Sequence, residues 1–155
     1  YDVGGYIDRC SDVVAVTMRG YVRKPISLKK IIRSFPNSTA ELHHDAYEEL
    51  KVGKKRSHWM WFIFPQIRGL GYSNMAIYYA IEVVGAENYI TDPTLGHNLI
   101  EISTVLLEIK DNDAKKVMGE PDDRKLQFCM TLFDTVAPEI DVFEKVLKNF
   151  RWRKR

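Results

Sequence analysis

The sequence predicts a mostly α, compact single-domain fold, and three observations carry that reading. From Glu41 to Phe150, apolar residues recur at the three- and four-residue spacing of a helix face. Start and stop signals bracket these runs: Ser, Asp-Pro or Pro before them, Gly or Pro after them. The chain is 155 residues long and 45% hydrophobic, which is one domain's length with apolar side chains enough for a core.

Residues 1–40 read as an N-terminal arm. Val13 to Thr17 is β-branched and pairs with Tyr21-Val22 across Gly20 if a short β-hairpin forms; an irregular arm is the alternative. Ser27 caps a short helix through Phe35, with Leu28, Ile31, Ile32 and Phe35 on one face, and Pro36 to Thr39 makes a loop. A helical domain covers residues 41–150. Its first helix carries Leu42, Ala46, Tyr47 and Leu50 on one stripe and closes at Gly53. Trp59 to Phe64 has no clean period, so a buried strand and a helical turn are both open, and Pro65 stops it. Ser73 caps a helix through about Val84, followed by one short turn at Glu87 to Ile90. Asp92-Pro93 starts a helix through Lys110 that buries Leu95, Leu99, Ile102, Leu106 and Ile109. Ala114 to Met118 is a short helix closed by Gly119. Pro121 opens the next, with Leu126, Cys129, Met130, Phe133 and Ala137 inward, and Pro138 ends it. Phe143, Val146, Leu147 and Phe150 define the last, and Arg151 to Arg155 is a basic tail.

Composition narrows the classes of function. A net charge of +2 does not by itself point to a polyanion. The distribution says more: Arg19 to Arg33 carries six cations and no acid, and the chain ends Arg-Trp-Arg-Lys-Arg. Such clusters fit phosphate or nucleic-acid contact, or are solvated faces. Cys10 and Cys129 make neither a disulfide framework nor a zinc site, which fits a reducing, intracellular setting, cytoplasmic or nuclear. No apolar run approaches the roughly 20 residues that span a bilayer, so no membrane partner is expected. The sequence opens at Tyr1 rather than a methionine, as a piece of a longer chain would.

One stretch stands out. Lys54 to Gly71 reads KKRSHWMWFIFPQIRGLG: three cations, Ser57 and His58, a six-residue apolar run with four aromatic rings, then Pro65-Gln66 and Gly69-Leu70-Gly71. Polar groups at both ends of an aromatic run suggest one wall of a pocket; a core segment followed by a turn is the alternative. This string resembles the signature of the domain of unknown function 1810 family, whose members have often carried a calpastatin label. The resemblance continues through Ser73, Met75-Ala76, Tyr79-Ala80-Ile81, Pro93, Leu95-Gly96, Asp122-Asp123, Lys125-Leu126 and Met130 to Phe133, and covers about Asp45 to Phe150. It implies a largely helical fold and supplies no reaction. Residues 1–40 and the basic end differ from the segments that usually flank the signature.

His58 is the candidate catalytic residue, because it is the one histidine beside both cations and aromatics and an imidazole can serve as general acid or base. A packed, backbone-bonded histidine is the alternative. Arg56 and Ser57 are candidates for holding phosphate, Trp59 and Trp61 for stacking on a ring, and Gln66 for reading a polar edge or tying down the loop. Ser73 follows the Gly69–Gly71 turn, a weak phosphate-cradle signal. Asp122 and Lys125 sit three apart at a helix start and share a face, which the helix dipole alone explains. His43 and His44 lack the spacing of a helical metal pair, so no metal is expected, and nothing calls for a cofactor.

Three functions compete. The first is a pocket for a nucleotide-like or phosphate-bearing small molecule, hydrolytic if His58 works as acid or base. The second is a nucleic-acid-binding module using the basic clusters with Tyr21, Phe35 and Trp152. The third is a protein-interaction or structural domain whose aromatic run is only core. Oligomeric state has no signature in the sequence.

Overall fold

Helix α1 (Thr39–Val52) is followed by a one-turn helix α2 (Met60–Ile63), then α3 (Val83–Thr91) and α4 (Leu95–Glu108). A short α5 (Ala114–Met118), α6 (Asp122–Val136) and α7 (Val142–Asn149) complete the order. This architecture comes from a computed structural model that describes residues 39–66, 81 and 83–153. The expected β-hairpin, the helix from Ser27, the Gly69–Gly71 turn and the helix from Ser73 lie outside the described residues. Among those described, the fold is helical, as the periodicity predicts, with an isolated parallel bridge between Asp113 and Arg151.

Helices α4 and α6 form the centre. Both pack against α3 and α7, while α1 lies on α4 and α5 lies on α6. The predicted stripes are largely buried: Ala46 and Leu50 on α1, Leu95, Leu99, Ile102 and Leu106 on α4, and Leu126, Cys129, Met130 and Phe133 on α6, with Leu42, Tyr47 and Ile109 half-buried at the edge. Phe133 joins α3 to α7, with ring centroids 5.9 Å from Tyr89 and 5.6 Å from Phe143. Burial holds the Tyr89 phenol far above its usual range, so it stays protonated in the core.

Of two elements, one settles an open alternative and the other differs from the expected one. The aromatic run resolves into the single turn Met60–Ile63, with Trp59, Ile63 and Phe64 buried. Expected as one short turn, the segment around Glu87 is instead the end of a nine-residue helix starting at Val83. Gly85 looks like a stop in sequence, yet it is buried inside that helix. Just before it, the Ile81 amide donates to the Gln66 carbonyl at 2.9 Å.

Local chemistry sets the helix ends. The Asp92 carboxylate accepts from the amides of Thr94 (3.1 Å) and Leu95 (2.7 Å), capping α4 as its Asp-Pro start predicts. Asp113 does the same for Lys115 at the start of α5. Gly53 ends α1 with φ +95°, the left-handed region where glycine has no steric penalty. The reversal there sends the Lys54–His58 loop toward α5, and the Lys55 amide reaches the Val117 carbonyl at 2.7 Å.

Candidate functional site

The Lys54–Trp59 loop is built around a carboxylate that sequence reasoning did not single out. Glu49 lies on the last full turn of α1. Its Oε1 accepts hydrogen bonds from the Arg56 amide (2.5 Å), the Ser57 amide (2.7 Å) and the Trp59 indole N–H (3.1 Å). Burial pushes the Glu49 carboxyl up, but bonds from the Ser57 hydroxyl, the two amides and the indole outweigh it and hold it below its usual value. The bonded form is the charged one, so this stabilisation is present above the ordinary value of 4.5 and is lost as pH falls through the lower folded-state value. Glu49→Gln keeps an acceptor oxygen and has no charge to lose. It is expected to flatten the acid limb of a thermal-melt series below pH 4.5. An acid limb identical to that of the unsubstituted protein would show that Glu49 contributes nothing there.

A lysine completes the loop. The Lys55 ammonium, only 9% exposed, donates to the Ser57 carbonyl at 2.6 Å and to Asp122 Oδ2 at 2.8 Å. It also sits 5.0 Å from the Trp59 ring centroid, a cation–π contact. Lys125 approaches the other Asp122 oxygen at 3.6 Å. Gln66 is buried, and its amide donates to the carbonyls of Phe64 and Lys125, both at 2.9 Å. The sequence candidates Ser57, Trp59, Gln66, Asp122 and Lys125 therefore do converge, through Lys55 and Glu49, where the loop meets the start of α6.

For Trp59 the role differs from the expected one. Trp59 is fully buried and tilted against Phe64 at 6.1 Å, so no face is open for stacking. Gln66 ties the aromatic turn to α6. Arg56 and His58 are exposed and have no side-chain partner among the described residues. The side chain of Trp61 and the whole of Ser73 lie outside the described residues. Of the other histidines, His43 bonds the Asn98 carbonyl at 3.1 Å and His97 pairs with Glu101 at 3.1 Å on an exposed face. Among the described residues no cluster of His, Cys, Asp and Glu is arranged to hold a metal.

Beside the loop are two adjoining open depressions. One, about 700 Å³, is lined by Gly53 to Lys55 and by Asp111, Asp113, Lys115, Lys116 and Gly119. The other, about 500 Å³, shares Asp113 and Lys115 and continues to Arg151, Trp152 and Arg153. Cations dominate the lining, and both acids are engaged with backbone: Asp111 accepts from the Asp113 amide at 3.0 Å and Asp113 from the Lys115 amide at 3.1 Å. Lys55 is paired with Asp122, Lys115 with Glu120, and Arg153 with Asp123 and Glu120. Lys54 and Lys116 have no partner among the described residues. The groove thus joins two basic clusters about a hundred residues apart in sequence. The third, Arg19 to Arg33, lies outside the described residues.

The end of the chain is part of this face. The Arg151 amide donates to the Asn112 carbonyl at 2.7 Å, and the Ala114 amide donates to the Arg151 carbonyl at 3.1 Å. Two residues on, Arg153 forks onto Asp123.

A family model described as a protein of unknown function, DUF1810, matches residues 29–154. The chain belongs to this family. The match is wider at both ends than the signature string and its continuation, and it takes in the docked Arg151–Arg153 segment. Among solved structures, the conserved hypothetical protein Rv1873 from Mycobacterium tuberculosis is similar, with 34% identity and a TM-score of 0.73. The likeness covers 82% of this chain and 89% of that one. No curated protein matches. Membership of DUF1810 fixes the helical fold and carries no reaction with it. No helix among the described residues is long and apolar enough to cross a membrane.

Proposed function

We propose that this domain binds a phosphate-bearing, nucleotide-like small molecule in the groove between Gly53–Lys55 and the Asp111–Gly119 segment. The observation that carries the reading is the pair of unpaired ammonium groups, Lys54 and Lys116, contributed to one depression by two separate segments. The acids beside them, Asp111 and Asp113, accept backbone amides and form no ion pair with either lysine, and the lining holds more lysines than carboxylates. A free lysine is a point charge suited to phosphate oxygens. The depression's volume of about 700 Å³ also falls within the range of small-molecule sites. Arg56, exposed and unpaired on the same loop, adds a guanidinium that can take two phosphate oxygens at once. In the hydrolytic version His58, the next exposed group but one, exchanges the proton.

Calorimetric titration of pyrophosphate into the full chain tests this. Lys54→Ala and Lys116→Ala are each expected to weaken binding by about tenfold, the loss of one charge-assisted hydrogen bond. Absence of binding at low salt, or affinity indifferent to both substitutions, would sink the proposal. His58→Ala should leave binding intact and remove turnover if hydrolysis occurs. A single-stranded oligonucleotide that binds with a steep salt dependence, with pyrophosphate inert, would support the nucleic-acid reading instead.

A further inference from the structure

We infer that Trp152 is the seat for an aromatic ring of the ligand, which makes the ligand class a nucleoside phosphate rather than a bare oligophosphate. The inference rests on the phosphate reading above and deepens it. Trp152 lines the second depression, which shares Asp113 and Lys115 with the one holding Lys54 and Lys116. A phosphate in the first and a ring in the second would therefore be contiguous. The indole is half-buried, leaving part of its surface in the groove.

It is also fixed in advance. Its N–H donates to the Leu147 carbonyl at 2.9 Å, and its ring rests against Phe150 with centroids 5.7 Å apart. The backbone on either side is pinned, by the Arg151 bridge to Asp113 and by the Arg153 fork on Asp123. A ring held this way loses little freedom when a second ring stacks on it, so stacking adds to affinity nearly undiminished. Trp59, the ring the sequence favours for this role, has no exposed surface. Trp152 supplies what the buried signature tryptophan does not, an aromatic surface in a depression that adjoins the one holding Lys54 and Lys116.

The test compares ADP with pyrophosphate on the full chain. Stacking of one base predicts that ADP binds about five- to a hundredfold more tightly. Trp152→Leu keeps an apolar contact with Phe150 and should bring ADP down to the affinity of pyrophosphate, while leaving pyrophosphate unchanged. Trp152→Tyr should retain most of the ADP preference and serves as the folded comparison if Trp152→Leu loses its cooperative melt. Equal binding of ADP and pyrophosphate to the unsubstituted chain overturns the ring seat and leaves the phosphate site standing. So does a Trp152→Leu variant that weakens both ligands alike, since Trp152 then only shapes the groove. Failure of both ligands to bind overturns the phosphate reading, and this inference with it.

Discussion

Arg153→Ala is expected to lower the free energy of unfolding by about 3–5 kcal/mol, the cost of stranding a buried carboxylate. Asp123 is only 1% exposed, and Arg153 is its counterion. The guanidinium Nε lies 2.5 Å from Asp123 Oδ2, Nη2 lies 2.8 Å from Oδ1, and Nη1 reaches Glu120 Oε1 at 2.6 Å. The bond to Asp123 is the largest influence on Arg153 and raises its already high pKa, with burial opposing, so the arginine stays charged throughout the accessible pH range. The geometry is a fork meeting both oxygens of one carboxylate, which a lysine cannot reproduce. Arg153→Lys is therefore expected to fall between Ala and the unsubstituted chain. Urea unfolding monitored by circular dichroism measures all three. A double variant, Arg153→Met with Asp123→Leu, should recover much of the loss, because the cost lies in an unpaired charge rather than in a missing contact. A shift in the Arg153→Ala midpoint worth under about 1 kcal/mol would mean that Asp123 is rehydrated when its partner goes, and the pair would then be an ordinary surface bridge.

That pair also marks the boundary of what the sequence discloses. Helices α4 to α7 are legible because their signals are local: the Leu95–Leu106 spacing, the Asp92 cap, and the stops at Gly119 and Pro138 all act within a few residues of their effect. Gly53 as the end of α1 is legible for the same reason. The docking of Arg153 is not, since its partners lie 30 and 33 residues earlier and nothing near Arg153 announces them. Read locally, Arg151 to Arg155 is a solvated basic end.

The candidate site follows the same division. The Lys54–Gln66 string is conspicuous for its rare residues, and the structure does bring it against Asp122 and Lys125. The carboxylate that organises it is not conspicuous, because Glu49 is one acid among several on a helix and its three N–H partners lie beyond the helix end. The lining of the groove is split between three segments, so no single window of sequence contains it. The fate of the aromatic run was open for a different reason. A short apolar stretch fits a buried strand and a buried helical turn equally, and packing alone decides.

Gly96→Ala tests how closely the two halves of the core are set. The turn between α3 and α4 is short, and it carries the first turn of α4 back onto the end of α3. A Cβ placed on Gly96 would lie 2.1 Å from the Ile90 carbonyl oxygen, 2.8 Å from its carbon and 3.3 Å from the Ile90 Cα. All three are backbone atoms, so no rotamer change relieves the clash; α3 itself must move. Its displacement would draw Tyr89 away from Phe133, and with it the contact that joins α3 to α6. The expected cost is about 3 kcal/mol or more, at the upper end of overpacking substitutions. Gly119→Ala separates this mechanism from glycine substitution in general. Gly119 has a φ of +79°, and an added Cβ there meets nothing within 4 Å. Its replacement should cost only the backbone penalty of its conformation, which with ψ 173° is one that glycine alone adopts readily, roughly 1–3 kcal/mol. Thermal melts of the two variants should therefore rank Gly96→Ala below Gly119→Ala. The reverse order would mean that α3 can slide away from α4 at little cost, and that the core is held chiefly by α4, α6 and α7.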